Sequence, residues 1–261
     1  METLDYKTAS MEADNLEAQW LNSENPEDFI RNNKNFNRLM MKYRCAIREL
    51  QTKLEVLDDE FSVANQRNPI SSIKSRIKKP ASIYDKLRRR GFPFTEASIV
   101  ENLDDVAGVR VICPFIKDIY EVANLLTSQD DITVLKIKDY IESPKPNGYR
   151  SYHMIVEIPV FFSEGKMPMR AELQIRTIGM DFWASLDHQL HYKKDIGTGE
   201  AIEAIESELR KCAETVNETD RHMEEIKRMI AVFQTTGRLP NETVSQLSAY
   251  SLDGRPPLEH R

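Results

Sequence analysis

The sequence predicts an α/β or α+β layer fold, and three observations carry that expectation. Residues 70–195 alternate strand-like and helix-like patterns. Before them, Phe36, Leu39, Tyr43, Ile47, Leu50, Leu54 and Leu57 step by three and four, the stripe of an amphipathic helix. After them the same stepping returns over 202–233. With 261 residues, 40% hydrophobic and 30% charged, the chain is long enough to bury a core of its own.

Residues 1–28 form an acidic leader, with eight acidic side chains against one lysine, and read as flexible. A helix is expected over 29–66, closed by Asn68-Pro69. The core, 67–196, holds the strands VAGVRVICPF and DITVLKI with the helix KDIYEVANLLTS between them. Two more strands, SYHMIVEIPVFF and MRAELQIRT, are joined by the turn-rich SEGKMP, and the helix GMDFWASLDHQLHYK follows. Over 200–235, Ile202, Ile205, Leu209, Cys212, Val216, Thr219, Met223, Ile226, Ile230 and Phe233 make a heptad seam with one polar break, at Thr219. Such a seam must pack on its own domain or meet another subunit. The tail, 237–261, is rich in Pro, Ser and Gly and reads as disordered.

Several function classes drop out. No apolar run approaches the ~18 residues of a membrane span, and no signal-peptide core begins the chain. Cys45, Cys113 and Cys212 lie far apart with no CxxC pair, which argues against structural zinc and for reduced thiols in a cytoplasmic protein. His188 and His191 flank Asp187 at metal-like spacing but lack a third ligand, so a surface or core pair is the better reading. Neither GxxxxGK[ST] nor GxGxxG occurs, and only nine glycines are present. Any nucleotide phosphate must therefore be held by side chains.

The cations for that task are concentrated. Residues 67–90 carry nine Lys and Arg against the single Asp85, in a chain of net charge −6. Arg76 and Lys78 alternate, as on an extended segment. Ser82 is the expected N-cap of a helix, with Asp85 three later. On that helix Ser82, Lys86 and Arg89 share a face. In MRAELQIRT, alternation puts Glu172, Gln174 and Arg176 on one face. A second carboxylate stands in ENLDDVAGVRV, where Asp104-Asp105 precede a strand carrying Arg110. Two carboxylates on neighbouring strands are the minimum for holding Mg²⁺ against a phosphate chain. In KPNGYRSYH, alternation after Gly148 places Tyr149, Ser151 and His153 together, with Arg150 and Tyr152 opposite.

Taken in order, SRIKKPASIYDKL, DDVAGVRV, KPNGYRSYH and ELQIRT followed by FWASLDHQLHYK resemble the synthetase domain of the RelA/SpoT family, over about 36–235. The chain looks like a small alarmone synthetase. The resemblance implies an α+β, nucleotidyltransferase-like core with a mixed sheet flanked by helices, and helical extensions at both ends. It implies transfer of the β,γ-pyrophosphoryl group of ATP to the 3′-hydroxyl of GDP or GTP, with Mg²⁺, and a homo-oligomer, a tetramer favoured. The same resemblance makes Asp105 and Glu172 the catalytic and metal-binding pair. Arg76 and Arg110 are similar to the arginines that sandwich adenine; Lys78, Ser82, Lys86 and Arg89 resemble the ATP phosphate clamp. Tyr149 corresponds to the tyrosine stacked on guanine, Lys145 and His153 to contacts with the acceptor's 5′-phosphates, and Gln174 and Asp181 to its ribose and base edge. The pattern departs at Asp181, where an amide is common. It departs also at ISSIKS, which lacks the aromatic-plus-Gly pattern of members with an allosteric central cleft. Alternatives within the family are a toxin that modifies the tRNA 3′ end or a maker of adenosine alarmones. A non-catalytic RNA-binding module is a more distant alternative.

Overall fold

The computed structural model describes residues 17–21, 29, 33–65, 68–192 and 200–238, the side chains of 64–65, 190–192 and 200–201 excepted. Helix α1 (Lys34–Asn65) opens the fold. Asn33 caps it, its Oδ1 accepting from Phe36 N at 2.8 Å. All seven stripe residues, Phe36 to Leu57, are buried. Burying each such side chain contributes roughly 1.5–3 kcal/mol before the cost of ordering it.

Strand β1 (Ser72–Ile77), helices α2 (Pro80–Arg89) and α3 (Glu96–Asn102), strand β2 (Ala107–Cys113) and helix α4 (Ile116–Thr127) follow. Then come strands β3 (Thr133–Asp139), β4 (Tyr152–Phe162) and β5 (Gly165–Thr177), helix α5 (Ile178–Tyr192) and helix α6 (Glu200–Thr236). The five strands form one mixed sheet in the order β1-β2-β5-β4-β3. Only the β2–β5 pair is parallel. This is the α+β class expected, and α1 and α4 cover one face of the sheet. Val109, Val111, Met154, Val156, Leu173 and Ile175 point into that layer and are buried. Period-two alternation then commits their neighbours to the opposite face.

Three details differ from the expectation. The last strand is longer than MRAELQIRT, because β4 and β5 turn on Ser163-Glu164 alone and Gly165, at φ +120°, starts the return. Ser82 is not the N-cap of α2: Lys79 is, without a side-chain cap, and Pro80 takes the first helical position. Proline's fixed φ and missing N–H suit that position, so the helix begins before Ser82. Within the acidic leader, residues 17–21 are helical and Trp20 packs at 5.5 Å on Tyr84 of α2 and at 5.2 Å on Phe29.

Helix α6 docks with a face that carries Ala213, the seam residue Val216 and Asp220, and the later part of its heptad seam stays uncovered. Ala213 and Asp220 are buried, and Lys227 reaches the fully buried Asp118 of α4 at 3.0 Å. The seam residues Met223, Ile226, Ile230 and Phe233 stay about half exposed, between 45% and 53%. The tail beyond 238 lies outside the described residues, and no described helix is long and apolar enough to cross a membrane.

Candidate active site

The strand register writes the site as two rows across the open face. Arg76 lies beside Gly108, which lies beside Glu172, which pairs with Ile155 and then Lys136. The second row runs Lys74, Arg110, Gln174, His153, Lys138. Each row alternates out of the apolar layer, so chemistry-bearing residues far apart in sequence share one surface. A cleft of about 640 Å³ covers the middle of both rows, with Arg76, Asp105, Arg110, Tyr149, His153 and Glu172 in its wall. Lys145, Gln174 and Arg176 line it as well, and α5 closes one side with Ser185 and His188.

Asp105 sits at the mouth of β2 between two ammonium groups, with Lys86 Nζ at 2.7 Å and Lys78 Nζ at 3.0 Å, both on Oδ2. Burial pushes its carboxyl upward, but the hydrogen bonds from Lys86 and Lys78 outweigh burial and hold it below the usual carboxylate range. Its other oxygen, Oδ1, is buried with no hydrogen-bond partner. Asp104 instead faces Arg170 at 3.4 Å.

Glu172 is likewise pushed up by burial and brought down further by the His153 contact, while the Asp105 charge works against that lowering. The two carboxylates therefore feel each other. Arg176 Nη2 donates to Tyr149 Oη at 2.6 Å, and the same hydroxyl lies 2.8 Å from His153 Nε2. The other ring nitrogen of His153, Nδ1, faces Glu172 Oε1 at 3.4 Å.

Arg176 organises the Tyr149 side of the cleft and carries no role in the sequence reading. It is 4% exposed and donates to Ser151 Oγ, Gln174 Oε1 and Asp181 Oδ1 as well as to Tyr149. Alternation from Glu172 placed it on the correct face; its four partners needed the fold. Asp181 accepts from Lys74, Arg110 and Arg176 at 3.0–3.2 Å. Burial would raise its carboxyl, but these cations hold it low. In this arrangement Asp181 is a counter-ion that ties three cations together.

The Arg76–Arg110 pair frames a smaller cavity of about 100 Å³ floored by Gly108. A Cβ on Gly108 would stand in ordinary van der Waals contact with Arg76 Cγ, at 3.5 Å. On the Tyr149 side, Lys145 Nζ lies over the rings of Tyr140 and Tyr149 at 4.8 and 4.9 Å. Ser82 and Arg89 are exposed on α2, and neither lines a described cavity; Arg89 bonds back to Asp85 O at 3.3 Å. The sequence reading missed Lys74, Tyr140, Lys136 and Lys138. Lys136 and Lys138 line a second cavity of about 200 Å³ with Lys86, Arg90 and both carboxylates. Lys74 was legible by stepping back two residues from Arg76. The other three needed the pairing of β3 with β4. The side chain of His191 lies outside the described residues.

Comparison with known proteins agrees with this geometry. Residues 75–197 match the model described as "Region found in RelA / SpoT proteins". The chain is 42% identical over 191 residues to GTP pyrophosphokinase YwaC of Bacillus subtilis, covering 73% of this chain and 90% of that protein. It is 36% identical to GTP pyrophosphokinase YjbM of the same organism, covering 74% and 89%. The crystal structure of small alarmone synthetase 1 from Bacillus subtilis bound to its product pppGpp superposes with a TM-score of 0.67 at 35% identity, over 75% of this chain and 97% of that one. The chain belongs to the RelA/SpoT family, among the small alarmone synthetases.

Proposed function

We propose that the chain is a GTP pyrophosphokinase that moves the β,γ-pyrophosphoryl group of ATP to the 3′-hydroxyl of GDP or GTP, making (p)ppGpp and AMP. One observation carries the reading. A single cleft holds two carboxylates between an arginine-framed slot and a tyrosine backed by a buried arginine. Its likeness to two proteins named GTP pyrophosphokinase, and to a structure holding pppGpp, supports it.

In this reading Arg76 and Arg110 stack on the adenine above Gly108, a task for planar guanidinium that lysine cannot fill. Lys78 and Lys86, with Ser82 and Arg89 beside them on α2, neutralise the ATP phosphates. Tyr149 stacks on the guanine, Gln174 and Asp181 border its ribose and base, and Lys145 and His153 face the acceptor's 5′-phosphates. Lys136 and Lys138 extend that cationic wall. The donor set suits Mg²⁺, which keeps several waters and takes only one or two carboxylates alongside substrate phosphates. Asp105 Oδ1, buried without a partner, and the carboxylate of Glu172 are the protein oxygens for it. Among the described residues no cluster of three or more His, Cys, Asp and Glu forms a closed cage. Bound there, Mg²⁺ would orient the phosphates and neutralise their charge.

The acceptor 3′-oxygen forms a bond to the β-phosphorus of ATP while the bond from that phosphorus to the α,β-bridging oxygen breaks. The electron pair leaves with AMP, and Glu172 takes the proton from the 3′-hydroxyl. Lys78 and Lys86 offset the charge that develops on the leaving oxygen. The chain works as a cytoplasmic homo-oligomer, a tetramer favoured, assembled through the exposed stripe of α6.

The test is AMP release from labelled ATP offered with GDP, GTP, GMP, ADP or tRNA in separate reactions. AMP and a 3′-pyrophosphorylated guanine nucleotide are expected with GDP or GTP. Transfer to tRNA or ADP alone would replace this reading, and salt-sensitive RNA binding without AMP would end it.

A further inference from the structure

Helix α6 contributes no described residue to the cleft, yet it braces both segments that hold Tyr149. The loop ahead of Tyr149 rests on it at Gly148. This glycine has φ +90°, and a Cβ built there would stand 2.5 Å from the Cβ of Ala213 and 3.7 Å from Arg210 Cα. Ala213 is 3% exposed, and the loop backbone lies directly on it beside a cavity of only about 10 Å³. Arg150, just past Tyr149, donates from Nη1 to Ala213 O at 3.2 Å.

The second segment is the end of β5. Arg176 holds the Tyr149 hydroxyl, and the next residue, Thr177, is tied through Oγ1 to Asp220 Oδ2 at 2.6 Å. Gly179 seats against the same helix, where a side chain would stand 2.9 Å from Val216 Cγ1. Ala213, Val216 and Asp220 are spaced i, i+3 and i+7, so one face of α6 makes all these contacts. Trp183 Nε1 fixes the helix one turn earlier by donating to Leu209 O at 2.9 Å.

We infer that Ala213 is a positioning residue for the acceptor site: its small side chain sets how closely the 145–150 loop lies on α6, and hence where Tyr149 presents its ring. The argument is steric. Interiors close-packed to this degree transmit displacement, because the cavity that Gly148, Trp183 and Ala213 share, about 10 Å³, is too small to take a leucine side chain. Gly148 has no side chain to give way, and its positive φ resists replacement. A bulkier residue at 213 must therefore move the loop backbone. The ATP-side residues stand on or beside β1, α2 and β2, away from this contact and linked to it only through the Arg110–Asp181–Arg176 pairs, so the displacement falls chiefly on one substrate.

This inference rests on the proposed transfer reaction, and the wild-type protein run alongside separates the two. If the wild type releases no AMP from ATP and GDP, the proposed function fails. If it turns over, Ala213→Leu decides the inference. The expected result is a KM for the guanine nucleotide raised at least about tenfold, with the KM for ATP within about twofold and the size in solution unchanged. Ala213→Ser, close to alanine in volume, should restore the wild-type KM. Arg150→Met supplies an independent variant should Ala213→Leu not fold. It removes the clamp on Ala213 O and should raise the same KM, again sparing ATP. An unchanged acceptor KM in a folded variant, or equal increases for both substrates, would overturn the inference.

Discussion

Replacing Arg176 with lysine keeps the charge and removes the fork. The guanidinium donates four hydrogen bonds inside the protein, to Ser151 Oγ at 3.3 Å, Asp181 Oδ1 at 3.2 Å, Gln174 Oε1 at 2.9 Å and Tyr149 Oη at 2.6 Å. One ammonium on a flexible stem can replace about one of them in that space. The partners do not lose equally. Asp181 keeps Lys74 and Arg110, and Tyr149 keeps His153. Gln174 Oε1 keeps only a contact of 3.5 Å from Arg110. With each charge-assisted bond contributing about 1.5–3 kcal/mol, and about two lost without replacement, the expected destabilisation is about 3–6 kcal/mol. For a slope of about 2–3 kcal/mol/M in urea, the unfolding midpoint falls by about 1–3 M at a fixed protein concentration. With Tyr149 no longer held, the KM for the guanine nucleotide rises about tenfold while that for ATP stays within about twofold. An unshifted midpoint together with an unchanged acceptor KM would refute the claim that Arg176 organises this side of the cleft.

Tyr149→Ala removes the stacking ring, a contact of about 1–3 kcal/mol per base. Steady-state kinetics should show the guanine-nucleotide KM up about tenfold or more; a rise confined to ATP would reassign the pocket. Ile226→Lys places a charge in the exposed stripe of α6, 45% exposed in the single chain. Light scattering should report a smaller particle than the wild type, and an unchanged mass would remove α6 from the assembly. Asp220→Asn tests a buried acid. Burial raises the Asp220 carboxyl above its ordinary value, more than Thr177 and Arg150 lower it. The folded state thus binds this proton more tightly than the unfolded chain does. Its contribution to stability is greatest below the unfolded value of ~3.9 and is lost as pH rises through the raised folded value. The asparagine variant should lose that part of the pH dependence and gain on the wild type above that window. Parallel melting-temperature profiles for the two proteins would contradict this.

What the sequence made legible was periodic. The stripe of α1 and the alternation in β2, β4 and β5 are local patterns, and each placed its side chains on the face they occupy. The roles of Asp105, Glu172, Arg110, Tyr149 and His153 came from the resemblance to the RelA/SpoT synthetase domain, and one cleft collects these residues. Illegible parts depend on pairing between distant segments. Lys138 joins the row of His153 only through the β3–β4 register, and Lys74 reaches Asp181 across 107 residues. The start of α2 was misplaced at Ser82 because capping preferences were weighed without the proline's advantage at the first turn. For α6 the heptad pattern correctly marked an apolar stripe. It could not show that the small Ala213 and the polar Asp220 and Lys227, beside the seam residue Val216, make the domain contact.

The most direct test of the account is AMP release by Glu172→Gln and Asp105→Asn, measured with ATP, GDP and Mg²⁺ beside the wild type. Each substitution keeps the side chain's shape and removes its charge. The account predicts that each variant melts cooperatively as a folded protein and loses at least about 10²-fold in turnover. A folded variant of either kind turning over at the wild-type rate would contradict it.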